Sequence, residues 1–504
     1  MVFLGIDCGT QSLKVIAWEA GTGRFVSASR AYDLISNLPP GHKEQDPQVW
    51  IDALEQCMAE LAQKTNLISG VEAIGISGQQ HGLVVLDDHD QVIRPAKLWN
   101  DTSTDRQCTR IVEAFGGLDA YRAEIGNSLP PGFTASKLLW IKENEPANYQ
   151  KIAAFFLPHD YLNFYLTGEK VAEAGDASGT GYFDVRNRRW SSGVLTAIDP
   201  DRDLAQALPN LISSATPAGQ LRSELAQRWG VPQRAIASSG GGDNMMGAIG
   251  TGNVSTGLMT VSLGTSGTIY SYSDTAVIDP GGEIAAFCDS TGGWLPLGCT
   301  MNVTVATEMI RKSLLNVDHQ AFSEAVDSIP PGAEGLILLP YLEGERMPPV
   351  SQGTGVLLGL RPSTSTPAHL ARAAMEGVTL GLEYGLDRLQ KLGMTPKEIR
   401  LIGGGAKSPV WRQMAADIFN VSVVSPVNEE GPAFGAAIQA MWAHTGEDIQ
   451  RLAAEHVKLD ESTRCAPKPN SVERYRQVSA VYNELADTLI GSPVFGEHRK
   501  LIES

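Results

Sequence analysis

The sequence has few cysteines, fewer basic than acidic residues, and no hydrophobic run long enough to span a bilayer. Six cysteines are scattered over 504 residues without a Cys-x-x-Cys pair, a usage typical of a reducing compartment and not of a zinc site or a disulfide framework. Forty basic against 57 acidic side chains give a net charge of −17, which disfavours nucleic acid or an anionic membrane as a partner. The longest apolar run, at 335–342, is far shorter than the ~20 residues of a transmembrane helix. We therefore expect a cytoplasmic protein that binds neither membrane nor nucleic acid.

A glycine-rich stretch near the middle of the chain is the first candidate site. A strand-like run at 235–237 leads through Gly240–Gly242 to Asp243 and Asn244. Glycines let a backbone approach a ligand closely, and an acid at the start of the following helix is held in its charged, proton-accepting form by the helix dipole. Asp243 is therefore a candidate general base. The same residues also fit an ordinary turn with an N-cap aspartate.

A β-hairpin is predicted at the N-terminus. Its strands, at 2–6 and 13–18, flank a turn that carries Asp7 and Thr10, with Lys14 just beyond it. An acid, a hydroxyl, free turn amides and a lysine are suited to a metal-bound phosphate. The alternative is a purely structural turn.

The hairpin pattern returns in the second half of the chain. Strands at 257–263 and 268–272 flank a second Gly-Thr turn, which contains Thr265. A chain of 504 residues exceeds what one core usually holds. The repeat therefore predicts a duplicated domain whose two turns grip one phosphate chain from both sides.

Two polar clusters between the hairpins indicate a sugar site. A strand at 71–77 ends at Gln80 and His81, and Trp99 and Asp101 follow soon after. In α/β sheets, ligand groups lie at the carboxyl ends of strands. An aromatic face covers the C–H groups of a polyol while amide and carboxylate groups bind its hydroxyls. A histidine that merely packs in the core remains the alternative for His81.

Three further segments complete the chain. A strand at 399–402 runs into a glycine loop with Gly404 and Gly405 and then a helix; the loop lacks the Walker and dinucleotide spacings, so we expect it to cradle adenosine. Lys137 is expected on a solvated helix face, the usual place for lysine. After about residue 445 we expect solvated helices without chemistry.

The motifs occur in an order that resembles the FGGY carbohydrate kinases, and among them the xylulokinases. The resemblance covers essentially the whole chain and is carried by these segments: Asp7-Cys-Gly-Thr10, Gly78-Gln-Gln-His-Gly82, Trp99-Asn-Asp101, Gly240-Gly-Gly-Asp-Asn244, Ser262-Leu-Gly-Thr-Ser-Gly267 and Gly403-Gly-Gly-Ala406. It implies an α/β fold of two actin-like (ribonuclease H-like) domains with an active-site cleft between them. We expect a sugar-binding domain at 1–245 and an ATP-binding domain at 246–504.

The resemblance also implies a reaction, ATP-dependent phosphorylation of a primary hydroxyl of D-xylulose. Asp243 would be the base and Asp7 would help to hold Mg²⁺. The sugar would be bound by Gln80, His81, Trp99, Asp101 and Asn244. ATP would be bound by Thr10, Lys14, Thr265, Gly404 and Gly405.

Two departures leave the identity of the sugar open. Gln80 stands where bacterial xylulokinases commonly have methionine, and Asp289 follows Cys288 where histidine is expected. The alternatives are a kinase for another ketose or polyol, such as ribulose or a sugar alcohol, or a non-catalytic sugar or ATP sensor on the same scaffold. The oligomeric state also stays open, with a homodimer as one option.

Overall fold

Two seven-stranded β-sheets organise the chain, one built from residues before 243 and the other from residues after 257. The computed structural model describes residues 1–503. Across that range no helix combines the length and the apolar character that a bilayer crossing requires.

The strands follow one another along the chain as β1 (Val2–Cys8), β2 (Ser12–Glu19), β3 (Arg24–Ala31), β4 (Glu44–Gln45), β5 (Val71–Gly78), β6 (Val84–Leu86), β7 (Ala96–Lys97), β8 (Ala154–Phe156), β9 (Val171–Glu173), β10 (Phe183–Asp184), β11 (Arg189–Trp190), β12 (Asn210–Ile212), β13 (Gly219–Gln220), β14 (Ile236–Ala237), β15 (Gly241–Gly242), β16 (Leu258–Leu263), β17 (Gly267–Ser271), β18 (Ala285–Cys288), β19 (Trp294–Thr300), β20 (Ile337–Leu339), β21 (Val356–Leu358), β22 (Glu398–Ile402), β23 (Val423–Pro426) and β24 (Leu459–Cys465).

The α-helices are α1 (Gln48–Lys64), α2 (Asp105–Phe115), α3 (Leu118–Ile125), α4 (Thr134–Asn144), α5 (Pro146–Lys151), α6 (Pro158–Thr167), α7 (Ala174–Ala177), α8 (Ser192–Ile198), α9 (Ser223–Trp229), α10 (Asp243–Gly250), α11 (Thr304–Glu308), α12 (His319–Asp327), α13 (Pro367–Lys391), α14 (Pro409–Phe419), α15 (Gly431–Thr445), α16 (Ile449–His456), α17 (Pro469–Ile490) and α18 (Val494–Glu503).

Both sheets are built around the same motif. In the first sheet the antiparallel hairpin β1–β2 has β5 parallel to β1, in the order β13-β14-β5-β1-β2-β3. In the second sheet the hairpin β16–β17 has β22 parallel to β16, in the order β18-β19-β17-β16-β22-β23-β24. The predicted hairpins and the predicted duplication are thus confirmed at the level of topology.

Helix α15 comes from the second half of the chain but packs on the first sheet. Its backbone lies so close to β1 and β5 that a Cβ atom on Gly5 would overlap the carbonyl oxygen of Ala433, and one on Gly75 would overlap that of Ala436. On its other side, a Cβ on Gly435 would overlap the carbonyl oxygen of Met246 in α10. Glycine is therefore required where these elements touch, and α10 and α15 are fixed together beneath the candidate base.

The C-terminal region differs from the expectation of helices alone. Strand β24 pairs antiparallel with β23 and forms one edge of the second sheet. Its sequence is polar and none of its residues is fully buried, so it lacks the hydrophobic alternation from which strands are predicted. The prediction failed because pairing with an existing sheet edge determines this strand.

We predict that Gly435→Val destabilises the protein by about 3 kcal/mol, because overpacking a tight contact usually costs 1–3 kcal/mol and here the obstacle is backbone. Urea unfolding followed by circular dichroism measures the change. The control is Gly21→Ala, where a Cβ would meet no atom within 4 Å. A Gly435→Val variant as stable as the parent would contradict the close contact between α10 and α15.

Candidate active site

A cavity of about 540 Å³ lies between the two halves of the chain. Its walls include the residues that follow β5, the first residues of α10 and the inner face of hairpin β16–β17. Five of the residues predicted for the site line this cavity: Gln80, His81, Trp99, Asp243 and Asn244.

Asp243 is the first residue of α10 and is directed into the cavity by the strand before it. Gly241 and Gly242 pair in parallel with the end of β5, so α10 begins at the sheet edge where β5 ends. The Oδ1 atom of Asp243 accepts hydrogen bonds from the Asn244 backbone N–H at 2.7 Å and from Asn244 Nδ2 at 2.9 Å. Burial, together with the carboxylates of Asp7 and Asp176, raises the pKa of Asp243 to about 7. Such a group takes up a proton readily near neutral pH.

Asp7 lies at the end of β1, opposite Lys14 in the β1–β2 ladder. Burial raises the pKa of Asp7 to about 6, although the Ser77 hydroxyl donates a hydrogen bond to its Oδ1 atom at 2.8 Å. Lys14 Nζ forms an ion pair at 2.5 Å with Glu430, the residue just before α15. The predicted phosphate-binding lysine is therefore engaged by a carboxylate from the second half of the chain.

Thr10 and Trp99 are joined by a hydrogen bond. The indole Nε1 of Trp99 donates to the Thr10 hydroxyl at 2.9 Å, and that hydroxyl donates in turn to Gln79 Oε1 at 3.0 Å. This arrangement fixes the Trp99 ring on the cavity wall. Thr265, by contrast, is exposed at the tip of hairpin β16–β17 and takes no part in the wall.

His81 is held in an uncommon backbone conformation by a buried lysine. Its φ is +65°, and Lys137 Nζ donates hydrogen bonds of 2.6 Å to the carbonyl oxygens of His81 and Gly132. Lys137 is completely buried, so the prediction of a solvated position is wrong. Burial and the charges of Lys137 and Arg346 keep the pKa of His81 well below its usual range. The imidazole is therefore neutral and available for hydrogen bonding to a hydroxyl group.

Asp101 does not lie on the cavity wall, contrary to its predicted contact with the sugar. It is completely buried and forms an ion pair of 2.9 Å with Lys97. Lys97 Nζ also lies 3.2 Å from Glu44 and 3.3 Å from His42 Nδ1. The oxygen and nitrogen atoms of Asp101, Glu44 and His42 are spaced as in a metal site, but the ammonium group of Lys97 occupies their centre. The Trp-Asn-Asp sequence could not reveal which of its side chains faces inward.

A second cavity, of about 650 Å³, contains the glycine loop of the second domain. Gly404 and Gly405 line it together with Trp411 and Ser408. A Cβ atom on Gly405 would lie 2.9 Å from the Trp411 ring, so this glycine lets the loop pack against α14. These glycines are separate from the residues that surround Asp243.

Sequence reasoning missed Arg346 and misjudged Asp289. Arg346 lines the first cavity, and its charge lowers the pKa values of His81 and of the Cys299 thiol relative to burial alone. It has no motif around it that sequence reasoning recognised. Asp289 accepts hydrogen bonds from the backbone N–H groups of Thr291 and Gly293 and caps the β18–β19 turn, so this departure has a structural role away from the cavity.

The chain has two α/β domains built on the same motif, with carboxylates close together at the cleft between them. These features define a phosphotransferase of the actin-like class. Residues 2–250 match the N-terminal domain of the FGGY family of carbohydrate kinases, and residues 259–444 match its C-terminal domain. The chain therefore belongs to the FGGY family of carbohydrate kinases, which confirms the resemblance and the fold.

Individual relatives agree with this family. The chain is 42% identical to a xylulose kinase from Haemophilus influenzae over 490 residues, which cover 95% of this chain and 98% of the relative. A solved xylulose kinase from Rhodospirillum rubrum has a TM-score of 0.89 at 27% identity and covers 98% of this chain and 100% of its own. A solved gluconate kinase from Lactobacillus acidophilus has a TM-score of 0.91 at 25% identity, with 99% of both chains covered. The fold alone therefore does not select one sugar.

We predict that Asp101→Asn lowers the free energy of unfolding by about 3 kcal/mol, because it leaves a buried ammonium group short of countercharge. Urea unfolding gives this value, with the exposed Asp88→Asn as a control that changes stability by less than about 0.5 kcal/mol. The KM for the sugar stays that of the parent in the folded fraction. A raised KM for the sugar with unchanged stability would instead support the predicted contact between Asp101 and the sugar.

Proposed function

We propose that this enzyme transfers the γ-phosphoryl group of ATP to a primary hydroxyl of D-xylulose, giving D-xylulose 5-phosphate. The observation that carries the proposal is the position of Asp243, a carboxylate with a pKa of about 7 on the wall of a cavity that also presents Gln80, His81 and Asn244. The substrate is supported by relatives that are named xylulose kinases, one of which is 42% identical to this chain. The six cysteines are all free, which supports a reducing compartment, the cytoplasm.

The two domains divide the substrates between them in this proposal. The domain at 1–245 contributes the wall residues Gln80, His81 and Trp99 for the sugar, together with Thr10 and Lys14 for the phosphates of ATP. The domain at 246–504 contributes Thr265 and the glycine loop with Gly404 and Gly405 for the rest of ATP. Phosphoryl transfer requires little covalent chemistry from the protein and depends on positioning and charge neutralisation. A cleft between two domains supplies both when it closes.

Asp243 takes the proton of the sugar hydroxyl as the oxygen attacks the phosphorus atom. Its Oδ1 atom is held by Asn244, which leaves Oδ2 as the proton acceptor. The neutral His81 imidazole binds a hydroxyl of the sugar, and the Trp99 ring covers its C–H groups. Together these residues orient the nucleophile in line with the bond that breaks.

The carboxylates around Asp243 fit a magnesium ion. Magnesium prefers oxygen ligands, and Asp7 has a carboxylate whose Oδ1 atom alone is engaged by Ser77. Burial raises the pKa of both Asp7 and Asp243, and the charges of Asp7 and Asp176 add to the shift of Asp243, so a cation here would offset unfavourable negative charge. When bound, Mg²⁺ neutralises charge on the phosphates of ATP. Lys14 and Thr10 would bind those phosphates. For this, the ion pair between Lys14 and Glu430 has to break so that the ammonium group can bind a phosphate oxygen.

A substrate panel tests the proposed function. We expect kcat/KM for D-xylulose to exceed that for D-ribulose, D-gluconate, glycerol and pentitols by at least about 100-fold, since a site built to bind hydroxyls rejects molecules that leave its polar groups unpaired. Coupled detection of ADP gives the rates. A higher kcat/KM for any other member of the panel would replace D-xylulose as the substrate.

Asp243→Asn is predicted to lower kcat by about 1000-fold, within the 10²–10⁴-fold range for a general base, while the affinity for a non-hydrolysable ATP analogue changes little. In the parent, the base must be ionised, and its raised pKa therefore makes kcat/KM decline as the pH falls through about 7. The exposed Asp119→Asn serves as the matched control. A near-normal kcat in Asp243→Asn, or a flat profile between pH 5 and 8, would rule out Asp243 as the base.

A further inference from the structure

A buried histidine close to Asp243 has no part in the chemistry described above. His159, on α6, is completely inaccessible to solvent. Its Nδ1 atom lies 2.7 Å from Asp176 Oδ2, and its Nε2 atom lies 3.0 Å from Asp160 Oδ1. Contact with two carboxylates raises its pKa well above the usual range despite burial. The imidazolium is therefore the fixed countercharge of Asp176.

Asp176 in turn faces Gln80. Asp176 Oδ1 and Gln80 Nε2 are an acceptor and a donor that are both buried and that lack a hydrogen bond of normal geometry. The two side chains are nevertheless close enough for Gln80 to lower the pKa of Asp176 by hydrogen bonding. Because an unpaired buried polar atom is costly, completion of this bond is favourable.

The other end of the Gln80 amide is directed toward the base. Gln80 Oε1 accepts a hydrogen bond of 2.8 Å from Asn244 Nδ2, and the same Nδ2 atom donates to Asp243 Oδ1 at 2.9 Å. The oxygen end of the Gln80 amide is thereby held by Asn244, and its nitrogen is directed toward Asp176. A polar chain runs from the buried imidazolium to the candidate base.

The glycines before Asp243 make room for this chain. A Cβ atom on Gly240 would lie 3.0 Å from the His159 ring, and one on Gly242 would lie 2.7 Å from Gln80 Cγ. A Cβ on Gly241 would overlap Ser290 Oγ. The sequence suggested that these glycines make room for a ligand. In the structure they make room for side chains of other protein segments, and two of these, His159 and Gln80, belong to the polar network.

We propose that His159, Asp176, Gln80 and Asn244 form a positioning relay that fixes the carboxylate of Asp243 for proton acceptance. Gln80, which the proposed function assigns to the sugar, then serves chiefly the base. His159 and Asp176 touch neither substrate, and they act through Gln80. This inference rests on the proposed role of Asp243 and is specific to a chain that has glutamine at position 80.

A double-mutant cycle tests the relay. Gln80→Met preserves length and burial but removes both amide contacts, and Asp176→Asn removes the acceptor charge. We expect each variant to lower kcat about tenfold, as loss of orientation does, with the KM for the sugar within twofold of the parent. The double variant should lose about tenfold in kcat and not about 100-fold, because the effects of residues in one network are not additive.

Gln107→Met is the matched control for Gln80→Met, since both glutamines are 5% exposed and Gln107 forms a hydrogen bond with Glu143 away from the cavity.

Two results would overturn the relay. A Gln80→Met variant with normal kcat and a raised KM and raised Kd for the sugar, the latter from isothermal titration, would make Gln80 a sugar contact. Losses that multiply in the double variant would make the two residues independent. If Asp176→Asn does not fold, the test rests on Gln80→Met. In that variant, kcat and the Kd for the sugar together show whether Gln80 positions the base or contacts the sugar. All rates are measured with the sugar that the parent phosphorylates best, so a failure of the D-xylulose assignment is seen in the parent and a failure of the relay only in the variants.

Discussion

The crowding of carboxylates where β1, β5 and α10 meet is the constraint on which the site depends. Burial raises the pKa of Asp7, Asp176 and Asp243, and the charges of Asp7 and Asp176 raise that of Asp243 further. Such an arrangement is stable only if cationic groups compensate it. Lys14 faces Asp7 across the hairpin, and the His159 imidazolium pairs with Asp176. In the proposed function, a Mg²⁺ ion bound with ATP would add further compensating charge at this cluster.

Close backbone contact makes this crowding feasible. Gly435 of α15 packs against α10, and Gly5 and Gly75 let the same helix lie on β1 and β5. Since the strands end at Asp7 and at the Gln80 loop, and α10 begins at Asp243, the acids are held on elements that cannot shift independently. Rigid placement of this kind is what a reaction governed by positioning requires.

The parts of this protein that could be predicted from the sequence are those determined locally. The two hairpins, β5 and the start of α10 at Asp243 follow from hydrophobic pattern and glycine placement, and the ordered motifs led to the family. The errors concern the direction of side chains. Lys137 is buried because its ammonium group donates to the carbonyl oxygen of His81, 56 residues away in the chain, as well as to that of Gly132. Asp101 turns away from the cavity because Lys97, four residues before it, is buried beside it. The contact with His81 is set by packing between separate segments, and although Lys97 is a near neighbour of Asp101, its burial against Glu44 is not visible from local sequence.

The separation of roles within the site explains why the reaction is easier to infer than the sugar. In the proposed function, phosphoryl transfer depends on Asp243 and the carboxylates behind it, which belong to strand ends and helix starts. The proposal assigns sugar recognition to side chains on loops that line the cavity. Among these are His81, which a buried lysine holds at positive φ, and Arg346, which reaches the same cavity from the second domain. Substitution of such loop residues changes which hydroxyl pattern is bound without disturbing the base. Relatives that share the fold and are named for different sugars are the expected consequence of this division.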